Sequence, residues 1–133
     1  MNCFLTRTGA YLPGDPVTNE EIPNYLGNFE GEEETRSKIL RMNGILSRHY
    51  ALDPQQNATE DLYEMSSAAA IECLGEEPTP APISYLSAGS TNAPLVGPGL
   101  SSLLHDRLAM AGKLPHPVEI NSYSGICTAS AQA

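Results

Sequence analysis

Basic residues are scarce in this sequence. The 133 residues include 7 Lys and Arg against 16 Asp and Glu, a net charge of −9. Nucleic acids and anionic membranes are bound by neutralising phosphate with cations, so this balance argues against both as partners. Long apolar runs are also missing: none approaches the roughly 18 residues needed to cross a bilayer. The opening has Asn2 where a secretory signal needs positive charge, and a Pro13-Gly14 turn soon follows. Neither a signal nor a transit peptide is expected, which points to a cytoplasmic protein. Cys3, Cys73 and Cys127 form no CxxC and share no ligand spacing with histidine. A disulfide framework and a structural metal site are therefore not expected.

What is present suits one globular domain spanning 1–133, with 41% hydrophobic and 17% charged residues. Residues 3–13 alternate loosely and read as a first strand, ended by Pro13-Gly14-Asp15-Pro16. Thr18 and Glu21 have capping-box spacing; the short helix they open is disturbed at Pro23 and ends near Gly27. Glu30, Glu32, Glu33 and Glu34 read as a solvated loop, followed by a helix over Arg36–Met42 that Asn43-Gly44 breaks. Residues 45–52 read as an extended, partly exposed segment. The clearest helix starts in 57–61 and runs to Leu74 before Gly75; its small face, with Ser66, Ala69 and Cys73, predicts close packing on a sheet or helix. After a proline-rich connection, 83–90 reads as a buried strand. Residues 98–110 read as a helix with Leu100, Leu103, Leu104 and Leu108 on one stripe, 118–123 as another strand, and 126–133 as a tightly packed helix. The alternation predicts an α/β fold with a mostly parallel mixed sheet covered by helices.

Cys3 and Cys73 fit the role of small buried hydrophobes. Cys127 stands apart, because a strand runs into Ser124-Gly125 and then directly into Thr128-Ala129-Ser130-Ala131. In the first turn of a helix its sulfur would face free backbone N–H groups and the positive end of the dipole, which favour the nucleophilic thiolate. On the motif alone, catalysis and plain core filling are equally compatible with these residues. The chain also stops inside the segment that Ile126 starts, an unusual finish for a domain, so a further segment is expected to complete it.

Four stretches, in order, carry a resemblance. They are Thr8–Pro13 with Thr18–Ile22; Arg41-Met42-Asn43-Gly44-Ile45-Leu46-Ser47-Arg48; Leu86–Thr91 followed by Pro98; and Ser124-Gly125-Ile126-Cys127. Together they resemble the amino-terminal half of the β-ketoacyl-acyl-carrier-protein synthase III family of thiolase-superfamily condensing enzymes. The resemblance implies a thiolase-like half, incomplete without a carboxy-terminal half, that dimerises with a second copy. It implies an acyl thioester on Cys127, taken from coenzyme A or an acyl carrier protein with no resident cofactor or metal, then condensed or transferred in fatty-acid or polyketide-type biosynthesis. The partner His and Asn would come from the absent half, since His49, His105 and His116 fit surface or structural roles. The chain alone is accordingly expected to acylate poorly or not at all.

Two departures bear on substrate. Family members that take coenzyme A primers carry a tryptophan shortly before the arginine matching Arg41; this sequence has none, and Lys38 stands near that place. Gly97 stands where short-primer members carry a bulky aromatic, which implies room for a longer acyl chain. Arg41 and Arg48 are candidates for pantetheine phosphates. The acid excess suits an acidic carrier poorly, so a basic docking patch is expected on the absent half. Two competing readings are a non-catalytic truncated subunit serving as a dimer scaffold and an unrelated α/β binding module with a buried Cys127.

Overall fold

The structure, a computed structural model, describes residues 2–27, 33–76, 82–93, 95–114 and 116–133. Its elements are β1 (Val17–Thr18), α1 (Ile22–Leu26), α2 (Glu33–Asn43), β2 (Ser47–Arg48), α3 (Leu62–Leu74), β3 (Tyr85–Ser90), α4 (Leu100–Met110), β4 (Glu119–Ser124) and α5 (Ala129–Gln132). They group into two compact units. One is Leu12–Asp61; the other joins the segment ending at Tyr11 to Leu62–Ala133.

The larger unit is organised by leucines one turn apart. Leu100, Leu104 and Leu108 of α4 are buried, and Leu114 joins the last two in a core backed by Ile71, Leu74, Leu86, Ala88 and Val118. Burying each leucine contributes about 2 kcal/mol. The predicted stripe is thus the core, with Leu103 only half-buried at its margin. β3 and β4 pair in parallel, Tyr85 opposite Glu119 through Ser90 opposite Ser124. α4 makes the crossover between them, the usual connection for a parallel pair. The expected buried strand over 83–90 is half-buried, with Tyr85 exposed. As expected, α3 packs on another helix, α4, through Ala70, Ile71 and Leu74, while its Ala69 and Cys73 lie closely against the amino-terminal segment. A Cβ on Gly9 would lie 2.5 Å from the Ala69 carbonyl oxygen and from Cys73 N. Arg7 donates to the Leu74 carbonyl and Ala10 N–H to Glu72 Oε2 at 2.8 Å, tying this segment along α3.

That segment is the predicted first strand, and here the expectation fails. No ladder forms over residues 2–13, and Phe4 and Leu5 are exposed. An alternating pattern makes a strand only where another strand supplies hydrogen bonds. Cys3 is consequently exposed rather than buried, while Cys73 is half-buried against Gly9.

In the smaller unit, β1 and β2 pair antiparallel, Val17 opposite Arg48. The sheet content is therefore one parallel and one antiparallel pair among the described residues, not one mostly parallel sheet. Thr18 lies in β1, and α1 starts at Ile22 with Pro23 in its first turn, where a missing N–H costs nothing. Pro23 therefore fits α1 rather than disturbing it, and Gly27 ends the helix with φ 77°. Glu34 belongs to the first turn of α2 rather than to a loop, and Glu30 and Glu32 lie outside the described residues. Of 45–52, only Ser47–Arg48 forms a strand, followed by a single bridge between Leu52 and Ala58. Asn57 N–H and Nδ2 both donate to Asp53 at 2.9 Å, and Thr59 N–H to the Ala51 carbonyl. These bonds hold 57–59 out of the helix, so α3 starts at Leu62. The proline-rich connection lies mostly outside the described residues.

Half of the expected capping box forms. Glu21 Oε2 accepts Thr18 N–H at 2.9 Å, but the Thr18 hydroxyl donates to the same oxygen at 2.7 Å instead of capping the helix. The Thr18 backbone bond, then its side-chain bond, hold the Glu21 carboxyl below its ordinary range. A depressed folded value gives stability that is present above the unfolded glutamate range and lost as pH falls through the folded value. A carboxyl NMR titration is expected to place Glu21 below ordinary glutamates. Thr18→Val should return it part of the way.

Candidate functional site

Cys127 sits on the connection that leaves β4, at the carboxyl end of the parallel pair. Its side chain is exposed. α5 begins two residues later, at Ala129 with Thr128 as N-cap, so Cys127 lies just outside the helix rather than in its first turn. Thr128 is itself a favoured N-cap residue, a signal that sequence reasoning passed over. The expected helix over 126–133 has contracted to Ala129–Gln132.

Two contacts hold this connection, and neither was read from the sequence. A Cβ on Gly89 of β3 would lie 2.3 Å from the Ala129 carbonyl oxygen and 2.9 Å from Ser130 N. Only glycine lets the start of α5 lie so close to the strand, and Ala129 is buried there. The Thr91 hydroxyl, just past β3, donates to the Ile126 carbonyl at 2.7 Å and ties down the residue before Cys127. A glycine inside a strand often marks such a close approach, which was the available clue.

Beside this connection lies a cleft of about 360 Å³. It is lined by Asn92, Leu95 and Val96 from the loop after β3, by Gly99 and Leu100 at the start of α4, and by Ser122–Ser124 at the end of β4. The α4 start is anchored to β4, with Ser101 N–H donating to Ser122 Oγ at 2.9 Å and the buried Ser101 hydroxyl to the Asn121 carbonyl. Gly97 belongs to the same loop but does not line the cleft, and a Cβ there would meet no atom within 4 Å. Ligands of α/β folds commonly bind outside the carboxyl ends of parallel strands.

The two candidate arginines lie in the smaller unit. Arg41 lines a cleft of about 390 Å³ between α1 and α2, with Asn19, Glu20, Pro23, Arg36, Ser37 and Leu40. Arg48 does not line it, but Nη1 donates to Asn19 Oδ1 at 2.7 Å, and Asn19 Nδ2 donates to the Ile45 carbonyl. The histidines make local bonds. His49 Nδ1 lies 3.1 Å from the carbonyls of Pro13 and Gly14, His105 Nε2 3.3 Å from the His116 carbonyl, and His116 Nε2 2.9 Å from the Ile83 carbonyl. Among the described residues there is no cluster suited to a metal ion, and no helix is long and apolar enough to cross a membrane.

The fold has counterparts among known proteins. No family model matches the chain. Beta-ketoacyl-[acyl-carrier-protein] synthase III of Xanthomonas oryzae pv. oryzae (strain MAFF 311018) is 32% identical over 108 residues, which are 81% of this chain and 30% of that protein. Among solved structures, AbyA1, a tetronic acid condensing enzyme, superposes with a TM-score of 0.61 over 96% of this chain and 39% of its own, at 19% identity. The chain is therefore β-ketoacyl-acyl-carrier-protein synthase III-like, as its motifs imply, and spans well under half the length of these relatives.

Proposed function

We propose that this chain is the nucleophile-bearing half of a condensing or acyl-transferring enzyme, with Cys127 as its acyl acceptor. The observation that carries this is the exposed thiol on the connection leaving β4 at the carboxyl ends of two parallel strands; the cleft there is lined as far as Ser124, three residues before Cys127, and not by Cys127 itself. The thiolate attacks the donor thioester carbonyl; a carbon–sulfur bond forms to Cys127, and the bond to the donor thiol breaks, that sulfur leaving as thiolate and taking a proton. The acyl group then passes to an acceptor, or to a carbanion formed by loss of carbon dioxide from a malonyl-type thioester. A complementary half supplies the histidine and asparagine that stabilise oxyanions in these steps. The small fraction of each relative that this chain spans supports such a second half.

The donor favoured here is a carrier-protein thioester, because the sequence has no tryptophan to stack on adenine. Arg41 and Arg48 would meet the pantetheine phosphate. The lack of a side chain at Gly97 favours a long or bulky acyl group. The outer edge of β4 pairs with no strand among the described residues, which suits a second copy adding there.

The test is intact-mass analysis of the chain assembled with its complementary half after exposure to an acyl-pantetheine thioester. One acyl increment, mapped to Cys127, is expected. An increment elsewhere, or none, would refute the assignment.

A further inference from the structure

The turn that closes α2 holds a pair of residues with a chemistry of its own. Asn43 is the last residue of α2, and it alone among the asparagines of the sequence precedes a glycine. Both residues are exposed. Gly44 has φ 69°, and a Cβ there would meet no atom within 4 Å, so its backbone nitrogen is open to approach. Ile45 N–H donates to Asn43 Oδ1 at 2.8 Å, which folds the side-chain amide back toward the peptide that follows it. That donor does more than fix the rotamer. If the Gly44 nitrogen attacks Asn43 Cγ, Oδ1 becomes the oxyanion, and the Ile45 N–H already points at it. Any residue but glycine at 44 would set a side chain against the attack. Asn121 makes the contrast: it precedes Ser122 inside β4, with its peptide in the parallel ladder and its Nδ2 bonded to Tyr85 Oη at 3.1 Å.

We infer that Asn43 is a site of spontaneous deamidation, whose isoaspartyl product loosens the hold on Arg48. The Gly44 N–H gives its proton to water or hydroxide, and the nitrogen bonds to Asn43 Cγ. The Cγ–Nδ2 bond then breaks, and Nδ2 leaves as ammonia, taking a proton from water. A second water opens the succinimide ring. Addition at Cγ leaves aspartate at 43; addition at the backbone carbonyl leaves isoaspartate, with the chain running through the former side chain. Both products put an anion at the carboxyl end of α2, where the helix dipole disfavours it. Isoaspartate also lengthens the backbone by a methylene just before Ile45. The Ile45 carbonyl accepts from Asn19 Nδ2 at 2.9 Å, and Asn19 Oδ1 in turn accepts from Arg48 Nη1 at 2.7 Å. Moving Ile45 therefore frees Asn19 and takes away the anchor of Arg48. This modification does not depend on the acyl-transfer function.

The test is peptide mapping by mass spectrometry of the full chain, incubated warm in mildly alkaline buffer, with isoaspartate identified by enzymatic methylation. Deamidation at Asn43 is expected to run at least about tenfold ahead of Asn121, to give mostly isoaspartate, and to quicken as pH rises. Gly44→Ala obstructs the attack, and Asn43→Gln would need a larger ring. Each should slow the loss of ammonia at residue 43 at least about tenfold. The glutamine variant leaves the Gly44 turn as it is, so the comparison survives if Gly44→Ala shifts that turn. Hydrogen exchange over residues 45–49 should be faster in the isolated isoaspartate form than in the fresh chain. The proposal is overturned if Asn43 deamidates no faster than Asn121, if Asn43→Gln loses ammonia as fast as the unaltered chain, or if exchange over 45–49 is unchanged.

Discussion

Cys127→Ala is expected to lower acyl transfer by the assembled enzyme about a thousandfold or more, with unchanged folding. The side chain is exposed, so its removal leaves no cavity in the core around Leu104, Leu108 and Leu114. A covalent route divides a difficult acyl transfer into two easier steps, and without the sulfur neither step has its intermediate. A purely structural cysteine would behave differently, since an exposed thiol truncated to alanine costs within about 0.5 kcal/mol of stability and leaves rates unaltered. Steady-state rates with an acyl-pantetheine donor, beside a urea unfolding curve, separate the two outcomes. Cys3→Ala supplies the comparison, since it too removes an exposed thiol.

The second large effect is expected at Gly89, which lies against the start of α5. A valine there would drive its Cβ into the Ala129 carbonyl, 2.3 Å away, and a strand backbone on one side and a helix backbone on the other leave nothing flexible to yield. Either β3 distorts or the start of α5 lifts off, taking the Cys127 connection with it. Overpacking of this kind costs about 1–3 kcal/mol, and the added isopropyl group puts Gly89→Val at the upper end. The urea midpoint should fall accordingly, and acylation of Cys127 should slow along with it. Gly97→Val makes the contrast, because a Cβ at Gly97 meets nothing within 4 Å; it should leave stability within about 0.5 kcal/mol. A lower unfolding midpoint for Gly97→Val than for Gly89→Val would contradict this packing scheme.

The sequence was most legible where local signals and tertiary packing agree. The leucine stripe of α4, the end of α3 at Gly75 and the strands β3 and β4 fall where periodicity and turn residues put them. It was least legible where structure depends on a distant partner. Residues 3–13 have the alternation of a strand, yet what holds them is side-chain and backbone contact with α3 through Arg7, Gly9 and Ala10. No pattern within eleven residues encodes that choice. The start of α3 slipped from 57 to 62 because Asp53 captures Asn57, a competition between side-chain and helical hydrogen bonds. At the site, the residue type and the strand-to-helix setting of Cys127 were readable. Its place outside the N-cap, and its dependence on Gly89 and Thr91, required coordinates.

The most direct measurement of the central claim is the rate of iodoacetamide alkylation at each cysteine, near neutral pH, in the chain assembled with its complementary half. Cys3 is exposed like Cys127 and so reports what exposure alone confers, while the half-buried Cys73 reports the opposite limit. A nucleophilic Cys127 should be modified first and at a single site, well ahead of Cys3, and a bound acyl group should protect it. Modification of Cys127 no faster than Cys3 would mean an ordinary surface thiol, contradicting its assignment as the acyl acceptor.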